Sequence, residues 1–227
     1  NNMKENIGKY ASKIYMRVIT MKGGVSGGTI HSFLNILKQS RKNKNILKIV
    51  KNPYGLSPGV DFFESDEADL KKIIYDKTCK KWIGPFVMAS INTRIVRRSN
   101  YLIDYKYGKD FIYNEASLLG KSIFSKFLGY FKLLPIYLIS SVKNKTFNKL
   151  VRLIMPKPGK GPTERSRKNG YFKFSFYVFD KKIKAVVFVS GTGCPGYGST
   201  SKMLAESSIC LAIDKLPNKS GILTPST

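Results

Sequence analysis

Apolar positions along the chain recur with two different periods, and the switch between them marks out its elements. Tyr10 to Lys22, containing KIYMRVITMK, alternates loosely between apolar and polar positions and predicts a strand running into the glycine turn GGVSGG. Thr29 to Gln39 changes period. Ile30, Phe33, Leu34 and Leu37 fall on one helical face, and Lys38 to Lys51 carries on with basic residues. NPYGLSP, Asn52 to Pro58, predicts a loop, because Pro53, Gly55 and Pro58 each break regular structure. Phe86 to Ile91 reads equally as a strand or as the start of a helix, since Met88, Ile91, Ile95 and Val96 suit both. Asp110 to Glu115 alternates and predicts a strand.

Ser122 to Val142 is the most hydrophobic window, with Phe124, Phe127, Leu128 and Phe131 at helical spacing. A membrane-spanning helix needs about 20 nearly uninterrupted apolar residues. Lys126, Lys132 and Pro135 interrupt this one, so an amphipathic, interfacial or core helix is expected. PKPGKGPTERSRKNG, Pro156 to Gly170, predicts a loop. Strands follow at Tyr171 to Phe179 and Lys184 to Ser190, joined by a short DKK turn, and a helix at Ser199 to Ile213. No internal repeat is present. A hairpin, with strands that do not alternate regularly with helices, points to an α+β fold with a mixed or mostly antiparallel sheet and helices packed on one face. The domain is expected to occupy residues 15–227, after a linker or disordered start at 1–14.

Composition sharpens this. The chain has 227 residues, is 42% hydrophobic and 12% aromatic, and so can build a core. Its net charge of +26 would attract phosphate, anionic lipid or nucleic acid. Most of that charge is scattered lysine, the ordinary mark of a solvated surface. No recognition motif backs nucleic-acid binding, which is therefore not expected. The arginines are less dispersed: Arg94, Arg97, Arg98, Arg165 and Arg167 fall in two short segments. Arginine grips carboxylate or phosphate at two points, so the clustering hints at an anionic ligand. An acidic patch (Asp61, Glu64, Asp66, Glu67, Asp69) offers these arginines an intramolecular alternative, as does Glu115. Three widely spaced cysteines and a single histidine, His31, supply neither a disulfide framework nor a metal site, and a reducing compartment is expected. An opening without Met and an end at GILTPST lead us to expect a fragment.

Two glycine-rich turns feed helices. Gly191 to Gly196, GTGCPG, formally matches the dinucleotide fingerprint. Its context fails: Asp214 lies about 20 positions on but ends a helix, with no strand after it. No cofactor-binding residues are therefore assigned. The turn is either structural or lies near a substrate. GGVSGGT, Gly23 to Thr29, leaves two readings open: Ser26 and Thr29 cap the following helix, or they contact a substrate carbonyl or phosphate.

In order along the chain, KGGVSGGT, NPYGLSP, GPFVMASINTRIVRRSN, YGKDFIYNEAS, PKPGKGP and PGYGSTSKMLAESSICLA resemble saccharopine dehydrogenase-like oxidoreductases, the family that includes trans-acting enoyl reductases. The resemblance covers about Tyr15 to Thr227, the part that follows the family's N-terminal Rossmann domain. It implies a substrate-binding and dimerising domain of an NAD- or NADP-dependent enzyme, inactive without its cofactor domain and a homodimer in full-length form. It also implies a small-molecule or lipid-like substrate and a cytoplasmic location. Candidate substrate contacts are Ser26, Thr29, Asn92, Arg94, Arg97, Arg98, Ser99 and Glu115, with at least one arginine open to a cleft. No catalytic residue and no metal ligand is assigned. The competing expectation is a non-catalytic module at an anionic membrane surface, because Lys143, Lys145, Lys149 and Arg152 follow the apolar window.

Overall fold

The computed structural model describes residues 10–24, 27–60, 67–140, 161–180, 182–216 and 220–226. Six strands form one mixed sheet: β1 (Lys13–Lys22), β2 (Ile74–Asp76), β3 (Lys81–Gly84), β4 (Ile112–Gly120), β5 (Tyr171–Asp180) and β6 (Lys182–Thr192), in the order β2-β3-β4-β1-β5-β6. Only β1 and β4 run parallel; every other neighbouring pair is antiparallel. The fold is α+β, as the patterning implies.

The helices are α1 (Gly27–Lys42), α2 (Lys44–Lys51), α3 (Ala89–Leu102), α4 (Ile123–Ser140), the short α5 (Glu164–Lys168) and α6 (Gly198–Ile213). The basic continuation of the first predicted helix is a separate element. Asn43 leaves the helical region (φ −125°, ψ 114°), and its side chain accepts the Asn45 and Ile46 amides, which ends one helix and starts the next. The ambiguous Phe86 stretch leads into α3. β2 and β3, three and four residues long, escaped the sequence reading because so short a run carries no readable alternation. Glu164 to Lys168, expected as loop, is one helical turn capped by Thr163, whose side chain accepts the Ser166 amide.

Alternation along β1 divides the sheet's two faces. Met16 and Val18 join Phe111 and Tyr113 in a core against which Phe86 and Val96 pack, so this face carries α3. Arg17, between them, points to the opposite face. α4 packs on β3 and β4 through its small side. A Cβ on Gly129 would meet Leu119 Cδ1 at 2.5 Å, and one on Gly84 would meet Leu133 Cδ1 at 2.7 Å. The two glycines thus set how closely α4 approaches β3 and β4.

Candidate functional site

β3 pairs only with residues 117–120 of β4, so the first half of β4 is left for other elements to cover. Here the structure gathers its polar side chains. Glu115, on the α3 face of β4, is 3% exposed. It accepts Tyr113 Oη at 2.8 Å and Asn92 Nδ2 at 3.0 Å. Burial pushes its carboxyl above the ordinary glutamate range. The hydrogen bonds from Tyr113 and Asn92 pull the other way, the charge of Asp69 adds to the rise, and the net shift is upward. Tyr113 is likewise shifted up, by burial first and then by the neighbouring Glu115.

One residue along α3, the Thr93 hydroxyl lies 2.7 Å from the Ala89 carbonyl and 3.0 Å from Asp69 Oδ1, with a single proton to give. Arg94 pairs with Asp69 through Nη1, which also reaches Thr93 Oγ1 at 3.1 Å. Both partners keep some solvent contact, with side chains 14% and 21% exposed.

The opposite face of the sheet holds a second polar cluster. Glu67 accepts from Tyr15 Oη and Asn114 Nδ2, and Lys13 Nζ stands 3.4 Å away. Arg17 Nε bonds Asp76 Oδ2 at 2.8 Å, while its Nη1 reaches the Met16 carbonyl and Asn114 Oδ1. Asp76 Oδ1 also accepts the Thr78 amide at 2.7 Å, so one carboxylate both turns the β2–β3 hairpin and neutralises Arg17. Burial raises the Asp76 carboxyl, but the charge and hydrogen bond of Arg17, helped by Thr78, outweigh it and hold it below the usual range. Burial first, then Asp76, pushes the nearby Cys79 thiol up to about 11, so it is neutral near pH 7.

Of the sequence candidates, Asn92 and Glu115 touch, and Arg94 is linked to them only through Asp69, whose charge acts on Glu115. Arg97, Arg98 and Ser99 lie one to two turns further along α3 and hold the scaffold. Arg97, 4% exposed, donates to the Glu67 carbonyl at 3.3 Å and lies over the Tyr54 ring. Arg98 donates to the carbonyls of Leu56 and Ile222, and Ser99 Oγ meets Thr224 Oγ1 at 2.9 Å. The carboxylate facing Arg94 comes from the acidic patch, at Asp69. Thr29 is exposed in the first turn of α1, apart from this group, and Ser26 lies outside the described residues. The contributions of Asp69, Tyr113 and Thr93 were missed. Only the acidic patch at 61–69 gave any sign of the first of them.

The glycine turns meet at the far end of β1. Gly23 lies seven residues beyond Met16, the β1 partner of Glu115, or about 23 Å along a strand. Cys194, fully buried, donates Sγ–H to the Gly23 carbonyl at 3.1 Å. A Cβ on Gly170 would meet the Cys194 backbone N and Cα at 2.5 Å. The Gly193 and Cys194 amides, which a pyrophosphate would need, already donate to the Gly170 and Arg167 carbonyls. This turn does not fit a dinucleotide; it is a packing knot that joins β1, β5 and α6. Among the described residues, no group of three or more His, Cys, Asp and Glu could hold a metal ion.

Comparison with known proteins gives a consistent direction. The chain is 32% identical over 234 aligned residues, 92% of its length, to a protein of Mycobacterium tuberculosis H37Rv provisionally named trans-acting enoyl reductase Rv2449c. It is 30% identical over 217 residues to the trans-acting enoyl reductase of Mycobacterium ulcerans Agy99, and over 218 residues to that of Mycobacterium bovis BCG, covering 88% and 89% of this chain. It spans about half the length of these relatives: 53%, 51% and 51%. No family model matches the chain, and no solved structure matches it. The chain is thus related to proteins named as enoyl reductases.

Proposed function

We propose that this chain forms the substrate-side portion of an enoyl-reducing oxidoreductase of the saccharopine dehydrogenase-like kind, acting on a lipid-like α,β-unsaturated acyl group. NAD or NADP would supply the hydride when bound. The Gly191 to Gly196 turn does not fit it, because its Gly193 and Cys194 amides are already bonded. The observation that carries the reading is the contact of Asn92 and Tyr113 with the buried Glu115, with the half-buried Arg94–Asp69 pair on the same helix, in a chain similar along nine-tenths of its length to named enoyl reductases.

The chemistry of this group suits an acyl carbonyl. Reduction of an enoyl group develops negative charge on the carbonyl oxygen, and pre-oriented N–H donors are what stabilise such charge. Arg94 and Asn92 are partly exposed donors two residues apart on α3. Glu115, shifted upward by its burial, keeps a proton to higher pH than an exposed glutamate and shares a hydrogen bond with the Tyr113 hydroxyl. On this reading Arg94 and Asn92 bind the carbonyl end, with Glu115 and Tyr113 buried behind Asn92.

The test is calorimetric titration of the chain with an α,β-unsaturated acyl thioester, comparing wild type with Arg94→Ala. A charge-assisted hydrogen bond contributes about 1.5–3 kcal/mol, so affinity should fall roughly 10- to 100-fold. Equal affinity in the two proteins would remove Arg94 from the substrate site.

A further inference from the structure

α4 is inverted relative to an ordinary surface helix. Its inward side is narrow and small: Gly129 is buried against Leu119, and Leu133 is 5% exposed. Its outward side carries the large side chains. Phe124 is 70% exposed, Phe127 58%, Phe131 71% and Leu134 47%. At about 100° per residue these fall within about 40° of the direction opposite Gly129, and Lys126 and Lys132 fall about 60° to either side of Gly129, on the flanks below the apolar ridge. Lys126 Nζ sits 4.7 Å from the ring centre of Trp82, the only tryptophan in the chain.

We propose that α4 is a membrane-surface anchor, lying in the headgroup region of an anionic bilayer with Phe124, Phe127 and Phe131 among the acyl chains and Lys126 and Lys132 at lipid phosphates. The ridge stands out from the sheet with aromatic side chains more than half exposed, a shape suited to a deformable phase. Lysines on either flank can lay their stems along the apolar zone and keep their ammonium groups at the phosphates. The whole chain adds attraction through its charge of +26, and the same charge opposes covering the ridge with a second copy. Among the described residues no helix is long and apolar enough to cross a membrane. Insertion is therefore interfacial, with the helix about 5–10 Å deep. The proposal stands on α4 alone and does not depend on the reductase reading.

The experiment is flotation of the chain with vesicles of roughly three parts phosphatidylcholine to one part phosphatidylserine, set beside phosphatidylcholine vesicles. The wild-type chain should float with the anionic vesicles and bind the neutral ones at least about tenfold more weakly. The triple change Phe124→Ser, Phe127→Ser and Phe131→Ser removes only exposed side chains. It should reduce binding by about tenfold or more. Lys126→Gln with Lys132→Gln should bind more weakly and with less sensitivity to salt. A second reading guards against misfolding of the triple variant: in Trp82→Phe with Phe131→Trp, lipids brominated on the acyl chain should quench the new tryptophan. Unimpaired flotation of the folded triple variant would overturn the proposal, as would an unquenched Trp at position 131. So would a wild-type dimer in solution that the triple change dissociates and that does not float.

Discussion

Two Arg–Asp pairs sit on opposite faces of the same sheet, and they differ in almost everything except their chemistry. Arg17 and Asp76 are 3% and 7% exposed, and the guanidinium lies 4.8 Å from the centre of the Tyr15 ring while also bonding Met16 and Asn114. Arg94 and Asp69 are 14% and 21% exposed, and the charge of Asp69 acts on the buried Glu115. The first pair sits where water cannot replace a lost partner, so it fixes how the β2–β3 hairpin closes over β1. The second keeps contact with solvent, and a ligand oxygen could share or displace its carboxylate at modest cost. Burial, and not charge, separates the scaffold pair from the one suited to recognition.

The largest effect should come from breaking the buried pair. Asp76→Ala strands Arg17 and removes the cap on Thr78, and a buried charge that loses its partner costs about 3–5 kcal/mol. That is a large share of the roughly 5–15 kcal/mol that holds a domain together. Urea unfolding measures it. Replacing both partners by apolar residues, Arg17→Met with Asp76→Leu, should recover most of the loss, because no unpaired charge remains. A loss under about 1 kcal/mol for Asp76→Ala would show that water reaches this pair after all.

Next in size is a pair of pH dependences of opposite sign. The Asp76 carboxyl is held below its unfolded value, so its stabilisation is present above the ordinary aspartate range and lost as pH falls through the lowered folded value. Glu115 is raised, so its contribution is complete below the ordinary glutamate range and lost as pH rises through the raised folded value. Melting temperatures across about pH 3 to 8 should therefore fall less toward acid in Asp76→Asn and less toward neutral pH in Glu115→Gln. Matching profiles in wild type and Glu115→Gln would mean that Glu115 titrates like a solvated carboxylate.

How legible these regions were in the sequence depends on how local their causes are. β1, β4, the β5–β6 hairpin and the helices at 123–140 and 198–213 carry their own alternation or helical spacing, and they lie close to where that spacing places them. The hairpin of β2 and β3 owes its position to Asp76 reaching across the sheet to Arg17, a contact 59 residues distant that no local pattern reports. The arginine cluster on α3 was visible, but its division was not. Which residues meet Glu115 and which hold Leu56, Ile222 or Thr224 follows from the helix's rotation against β4. The glycine turns were visible too. Their packing around Cys194 joins residues 23, 170 and 194, and only the tertiary fold brings these together.

The smallest expected effect tests the division of α3 itself. Ser99, two turns beyond Asn92, places its Oγ 2.9 Å from both Thr224 Oγ1 and the Ile95 carbonyl, and both Ser99 and Thr224 are 9% exposed. Its role on this geometry is to hold the segment around Thr224 against the helix, alongside the bond from Arg98 to the Ile222 carbonyl. Ser99→Ala removes a neutral hydroxyl from both partners, with a cost of about 0.5–1.5 kcal/mol per hydrogen bond. The consequence should be local: faster amide hydrogen exchange around residues 222–226, since a segment tied by few bonds opens without global unfolding. Affinity for an unsaturated acyl thioester should stay within about twofold of wild type, because the change lies roughly 10 Å along the helix from Asn92. If Ser99→Ala weakens that affinity as much as Arg94→Ala does, the two halves of α3 do not act separately, and the recognition site must be drawn along the whole helix.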